Sequence, residues 1–329
     1  MTTSTLTPKQ RERILRAATS APSKHNTQPW WFRWEGDDVE IHVDRDRVLT
    51  HSDPSGREAH IACGAAAFGA QLGYASLGLG TETDLVPEAD DPLFSARLRV
   101  TAALPDPRLE PLYWALPSRR TNRAPFRDEP IAPLFLERMR DAARDEGTWL
   151  RVVEREPAYE SLLTAIREAT GREAEHLREE RDHWIDPPDQ AHRLDGVPAG
   201  SLGPLPAEPT GAVRDLAAGH DVPERGTAAF EQRPVLAVLE TSGDGPRDWV
   251  TAGRALLHVL AVGTRYGIAA SFANQPLEDP DLRVEIGSGA KHYGNPQMIL
   301  RLGMGVDVRP TPRRGLDDVV RARADAPSS

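Results

Sequence analysis

Two short stretches concentrate the side chains able to hold a flat, charged ligand. The first is Ser20-Ala21-Pro22-Ser23-Lys24-His25-Asn26-Thr27-Gln28-Pro29-Trp30. A proline stops the preceding helix, and a polar run of backbone donors and short side chains leads into a tryptophan. Such a loop can lay amide and hydroxyl groups against a flat heteroaromatic ring. The second is Ser118-Arg119-Arg120-Thr121-Asn122-Arg123, just ahead of a helix. Three arginines and a hydroxyl there make an anion site, because guanidinium forks match phosphate oxygens; the plainer reading is a solvated surface run. Only three lysines occur, Lys9, Lys24 and Lys291, so the one inside the first motif stands out. His25 reads either as a proton donor or as an ordinary hydrogen-bonded loop histidine.

Other patterns carry less. Glu173-x-x-His176 and Glu180-x-x-His183 have the form of carboxylate-bridged metal motifs. They lie on one helix, whereas a di-iron site needs facing helices, so they read as a solvated face and no metal is expected. Cys63, the single cysteine, excludes a disulfide framework and multi-cysteine metal sites and reads as a packing residue. There is no Walker loop, no Gly-x-Gly-x-x-Gly after a strand, and no Gly-x-Ser-x-Gly or His-Glu-x-x-His. With 40 basic against 50 acidic residues the net charge is −10, the wrong balance for a nucleic-acid partner. No apolar run reaches membrane-span length and the start is no signal peptide, so a soluble, cytoplasmic chain is expected.

The elements that must position these motifs are readable in outline. Thr7, Pro8 and Gln10 form a capping-box helix start, and Ala21-Pro22-Ser23 ends that helix. Residues 31–33 and 39–43 alternate as an antiparallel pair around Glu35-Gly36-Asp37. A small-residue helix runs from about Ala59 to Ser76, followed by a strand near Ala96 to Leu104. The same events then recur. Gly64, Gly78 and Pro87 are matched by Gly253, Gly267 and Pro276, each 189 positions on. The early helices match at 125, as Arg16-Ala17-Ala18 against Asp141-Ala142-Ala143. The 64-residue difference places extra chain in the second copy between about 150 and 235, a charged helix (Glu173 to Arg181) and then the proline-rich Pro198–Pro209. A connection this long in a compact protein is usually functional, often a lid.

The loop Ala-Pro-Ser-x-x-Asn-x-Gln-Pro-Trp and the stretch Arg-Arg-Thr-x-Arg resemble the two signature segments of the nitroreductase superfamily of FMN oxidoreductases. In those homodimers the arginine motif of one subunit holds the FMN phosphate and the Pro-Ser-x-x-Asn loop of the other touches the ring. Here the order is reversed within one duplicated chain, which is similar to the Acg family of fused nitroreductase-like proteins. The resemblance extends to Asp53-Pro54-Ser55-Gly56-Arg57-Glu58 and Asn274-Gln275-Pro276-Leu277-Glu278.

The resemblance implies an α+β fold: two tandem nitroreductase-like units fused as an internal pseudo-dimer, with mostly antiparallel sheets flanked by helices. Unit one is expected over 1–110, unit two over 111–320 with the lid-like insertion at about 150–235, and a disordered tail over 321–329. It further implies FMN, with NAD(P)H as co-substrate. Arg119, Arg120, Thr121 and Arg123 are expected at the phosphate, joined by Arg313 and Arg314 unless that pair is a plain charge run. Pro22, Ser23, Lys24, Asn26 and Gln28 are expected around the ring, and the Asn274-Gln275 turn near flavin N5. Lys24 either tunes the reduced ring or points to solvent. Shifting either motif by 125 finds no counterpart in the other copy, so one flavin per chain is expected. The function implied is hydride transfer from NAD(P)H through FMN to an electron-poor small molecule such as a nitroaromatic, quinone or enone. The alternative is a protein that sequesters FMN under the lid. Whether whole chains pair again is left open.

Overall fold

The computed structural model of the chain describes residues 5–86, 90–172, 175–185, 193–208, 212–217, 222, 225–288 and 294–322. Helix α1 (Pro8–Thr19) begins with the reciprocal Thr7–Gln10 capping box and Pro8 in its first turn. The hairpin β1 (Trp30–Glu35) and β2 (Asp38–Val43) follows, with Glu35 opposite Asp38 across the two-residue turn Gly36–Asp37. Then come α2 (Arg57–Ala75), β3 (Gly80–Leu85) and β4 (Phe94–Thr101). The first sheet has the order β1-β2-β4-β3, antiparallel throughout.

After the short α3 (Glu110–Tyr113), the sequence of elements repeats. Helix α4 (Pro133–Asp145) and β5 (Trp149–Val153) correspond to α1 and β1. Between β5 and β8 (Val235–Thr241) lie α5 (Ala158–Gly171), α6 (Glu175–Trp184), and the two-residue strands β6 (Leu205–Pro206) and β7 (Thr227–Ala228). Helix α7 (Pro246–Arg265), β9 (Ile268–Phe272), α8 (Pro280–Ser288), β10 (Asn295–Met304) and α9 (Leu316–Val319) complete the chain. The second sheet has the order β5-β8-β10-β9, again antiparallel throughout. Substituting β5, β8, β9 and β10 for β1 to β4 gives the order of the first sheet, so the duplication read from glycine spacing is a duplication of topology.

The two halves join through α2 and α7. Every residue of α2 except Gln71 is buried, which explains its Ala- and Gly-rich composition: a helix enclosed on all sides has no polar face to show. The hydrophobic core around the first sheet includes Val250, Leu257 and Ala261 of α7, and the core around the second includes Ile61 of α2. Gly78 and Gly267, 189 apart, both take positive φ (74° and 73°) just beyond α2 and α7, the left-handed stop that only glycine adopts without penalty.

The insertion sits more sharply than its composition implied. Residues 154–234 stand where Gly36 and Asp37 turn the first hairpin. They exceed the 64-residue offset because the links from α4 to β5 and from β8 to α7 are shorter than their counterparts. Helix α5 covers the outer face of the second sheet through Tyr159, Leu162, Leu163 and Ile166. Helix α6 reaches back to the first half. The expected helix start Glu173 and most of the expected tail, 323–329, fall outside the described residues.

The segment after β10 also returns to the first half. Arg321 N donates to Phe32 O (2.9 Å) and Val320 pairs in parallel with Phe32. No helix of the described residues is long and apolar enough to cross a membrane.

Candidate active site

The loop after α1 is held in a conformation that its residues would not choose alone. His25, Asn26 and Gln28 have φ of 48°, 56° and 50°, a left-handed geometry costing on the order of 1 kcal/mol or more per non-glycine residue. Remote segments hold it there. Asn26 Nδ2 donates to Gly196 O (2.9 Å) and Pro312 O (3.1 Å), and its Oδ1 accepts from Arg313 (3.0 Å). Gln28 Nε2 donates to Leu194 O (2.8 Å), and its Oε1 accepts from Arg314 N (2.9 Å). Ser23 Oγ accepts from Gln28 N (2.9 Å). Asn26 and Gln28, expected around the ring, therefore shape the loop and are not among the residues that line the cleft it borders.

Pro22, Ser23, Lys24 and His25 do line that cleft. Ile61 and Ala62 of α2 and Leu256 of α7 give it apolar surface, and Thr121, Asn274, Gln275 and Met298 come from the second half. The insertion contributes Ala212, Val213, Arg214 and Leu216. Asn274 Oδ1 accepts from Ile299 N (2.8 Å) and so fixes its turn, while the buried Gln275 Nε2 has no partner. A buried amide without a partner is costly and rare.

A second, arginine-rich pocket opens beside the cleft, and Thr121 lines both. Among the described residues it is bordered by Arg16, Arg119, Arg120, Arg309 and Arg313 and by no carboxylate. Arg119 is 6% exposed, and one of its nitrogens donates to Ser20 O (3.1 Å), but Nε and the other terminal nitrogen are buried without partners. Burial, then the charges of Arg313 and Arg120, push Arg119 down to about 9. A buried guanidinium left this way is expensive, and a dianionic phosphate would satisfy it.

The remaining expected phosphate ligands are spread more widely. Arg313 borders the pocket, but its N–H groups go to Thr19 O, Ala21 O, Asn26 Oδ1 and Pro312 O, so it supplies charge more than free donors. Arg314 lies elsewhere, donating to Gln28 O and Asp318 O, 3.6 Å from Asp44. Arg123 lines the cleft instead of the arginine pocket and donates to Ser201 O (3.1 Å).

Lys24 is tethered within the cleft, 3.0 Å from Glu278 and donating to Ser52 O (3.2 Å). It does not point freely to solvent. Glu58 is paired with Arg57 (2.7 Å). Behind them, Asp53 accepts from Glu58 N and Ala59 N (both 3.0 Å) at the start of α2. Burial and then the charge of Glu58 push Asp53 up to about 7. Burial, then Lys24, Arg214, Arg123 and Arg181, hold His25 well below the ordinary imidazole range, so it is neutral at pH 7. Cys63 is buried beside Pro29 O and His42 O, a packing residue pushed up to about 12 by burial.

The pseudo-symmetry also shows what became of the other cleft. Subtracting 189 from Phe272 and Asn274 gives Thr83 and Leu85, and adding it to Glu58 gives Arg247. Arg247 donates to Leu85 O (2.9 Å), and Arg254 reaches Thr83 (3.4 Å), Gln71 (2.8 Å) and Glu146 (2.9 Å). Arg247 and the ion-paired Arg254 occupy the position that the first cleft leaves open.

Helix α6 is not the solvated face its charges implied. Glu180 accepts from His51 N and Ser52 N (both 2.9 Å), and Arg181 is 2% exposed; the helix clamps the first half. Among the described residues no cluster of three or more His, Cys, Asp or Glu is placed to hold a metal. Sequence reasoning missed Arg214, which had no signal, and Arg301, which did. Arg301 interrupts the apolar run of β10, is fully buried, and pairs with Glu231 under Phe126.

No family model matches the chain. It is 31% identical over 315 residues, 93% of this chain and 90% of the relative, to the Mycobacterium tuberculosis protein named "Putative NAD(P)H nitroreductase Rv3131". It is 27% identical over 323 residues, 94% and 95% of the two chains, to "Putative NAD(P)H nitroreductase acg" of the same organism. Among solved structures it is similar to the FMN and NADPH-dependent nitroreductase NfnB from Sphigopyxis sp. strain HMH, at 19% identity, 65% of this chain and 99% of the other, and a TM-score of 0.40. A nitroreductase with bound FMN from Bacteroides fragilis aligns at 17% identity, 59% and 88% coverage, and a TM-score of 0.36. At 31% and 27% identity to these mycobacterial relatives over more than nine-tenths of its length, the chain belongs to the Acg family of nitroreductase-like proteins.

Proposed function

We propose that the chain is an FMN-dependent, NAD(P)H-oxidising reductase of nitroreductase type that binds one flavin. The observation that carries this reading is Arg119: a buried guanidinium with two unpartnered nitrogens in an arginine pocket that no carboxylate among the described residues lines. That pocket meets, at Thr121, a cleft lined by the ring loop of the first half and the Asn274-Gln275 turn of the second. Arg119, Arg120 and Thr121 would hold the phosphate. Pro22, Ser23 and Lys24 from the first half and Asn274 and Gln275 from the second would border the ring, with the orphaned Gln275 amide free to donate to it. When bound, FMN supplies the group that accepts and returns the hydride. The chain's part is to orient it, to exclude water with Ile61, Ala62 and Leu256, and to set the local charge through the Lys24–Glu278 pair. The cleft fits the reduction of an electron-poor small molecule such as a nitroaromatic, quinone or enone. Arg247 and Arg254 at the symmetry-related position support a single flavin.

A second reading, FMN sequestration, is favoured by the insertion: Ala212, Val213, Arg214 and Leu216 line the cleft, and the carbonyls of 194 and 196 anchor the ring loop. Both readings meet in one experiment, a visible spectrum of the purified chain followed by anaerobic NADPH. About one flavin per chain with rapid bleaching is the expected result. Bound flavin that resists NADPH would favour sequestration, and a colourless protein that refuses added FMN would end both.

A further inference from the structure

The arginine pocket does not end at the phosphate position. It shares Pro117, Arg119 and Arg120 with a further groove, and that groove has no lining residue in common with the cleft. The three spaces therefore lie in series along consecutive residues. The cleft reaches Thr121, the arginine pocket runs from Thr121 to Arg119, and the groove takes up at Arg120 and Arg119.

The groove differs in chemistry from the pocket it continues. Its floor is apolar, built from Met139 of α4, Leu260 of α7 and Leu302 of β10, and Val306 adds an exposed apolar side chain. Gly263, Gly267 and Gly305 also line it, and positions without a Cβ let a flat group lie against the backbone. Its charged side chains beyond the two shared arginines are Arg127 and Asp307, both exposed. Among the described residues neither is ion-paired, and Arg120 spends one N–H on Arg119 O (2.8 Å). Guanidinium groups match phosphate oxygens and also stack on flat bases, and a carboxylate accepts hydrogen bonds from ribose hydroxyls. An apolar floor edged by a cation and a carboxylate fits a nucleoside joined to phosphate.

Charge does not separate a mononucleotide from a dinucleotide here, since a phosphate monoester and a diphosphate diester each carry about two negative charges. Extent does. A monoester phosphate ends within the arginine pocket, whereas a diphosphate spreads the same charge from Arg119 along Arg120 and delivers its adenosine to the groove. The order of the three spaces is the order of ring, phosphates and adenosine in such a ligand.

We infer that the groove is the adenosine subsite of a flavin dinucleotide, so that the chain binds FAD as well as FMN, with Arg120 at the second phosphate and Arg127 and Asp307 at the adenosine. The inference rests on the flavin reading above and lengthens the ligand.

The test titrates the flavin-free full chain with FMN, FAD and riboflavin by calorimetry. FAD should bind at least as tightly as FMN. The double variant R127Q/D307N should weaken FAD about tenfold, the worth of one charge-assisted hydrogen bond, and leave FMN unchanged. Both side chains are exposed, so the variant should fold, and the native ratio decides if it does not. FAD that binds more weakly than FMN would overturn the inference, as would a ratio of FAD to FMN affinity that R127Q/D307N leaves intact. Failure of the flavin reading shows itself separately, as a chain that binds none of the three flavins.

Discussion

Gly64 of α2 and Gly253 of α7 each press their backbone into the other's helix. A Cβ at Gly64 would stand 2.0 Å from Val250 O, and one at Gly253 would stand 1.9 Å from Ile61 O. Both partners, like both glycines, are separated by 189 positions, so one contact is the pseudo-twofold image of the other. The close approach places Ile61 and Ala62 on one side of the cleft and Leu256 on another. G64A or G253A must push the helices apart at a cost of roughly 1–3 kcal/mol or more. Each should lower the thermal midpoint and reduce flavin retained through purification, and an unchanged midpoint would count against the seam as the organising contact.

Arg119 makes the phosphate end testable without any turnover. R119M should weaken FMN binding by about tenfold to a hundredfold, the worth of one or two charge-assisted hydrogen bonds. Riboflavin, which lacks the phosphate, should bind the variant and the native protein alike. Equal losses for both ligands would assign Arg119 a structural role only.

The Lys24–Glu278 pair predicts opposite shifts in flavin midpoint potential. K24M removes a cation from the ring's border and should lower the potential. E278Q removes an anion, leaves Lys24 uncompensated and should raise it. Spectroelectrochemical titration of both variants gives the signs, and a shift of like sign in the two would refute the arrangement.

Asp53 predicts a pH dependence of stability. Its carboxyl rises from 3.8 to about 7 on folding, so the folded state holds the proton more tightly. That contribution is complete below about pH 4 and is lost as pH rises toward 7, on the order of 4 kcal/mol in all. D53N, which cannot ionise, should gain relative to the native chain across that window. His25 and His60, both lowered on folding, run the other way and cancel in the comparison. A constant difference between the two proteins from pH 4 to 7 would contradict the assignment.

The insertion calls for a narrow change. Removing 186–225 would also remove the carbonyls that hold Asn26 and Gln28, and so unmoor the ring loop. Replacing 209–217 with a glycine-serine linker spares those anchors. If this wall restrains the flavin, NADPH oxidation should rise severalfold with flavin content unchanged; an unaltered or lower rate would argue against a closed lid.

The sequence by itself determined the duplicated topology, the antiparallel hairpins, and the two motifs that border the cleft and the arginine pocket. These rest on local signals: the 189-residue glycine spacing, the Thr7–Gln10 capping box, the left-handed stops at Gly78 and Gly267, and arginines clustered beside a hydroxyl. Only the tertiary structure decided which motif residues face the cleft. Asn26 and Gln28 turned out to brace the loop because their partners are carbonyls 166 or more residues away. Arg123 parted from Arg119, Arg313 spent its donors on backbone, and Glu180 became a clamp instead of a surface charge. A side chain's type fixes what it can bond to, but which partner reaches it depends on how distant segments pack, and no local spacing encodes that.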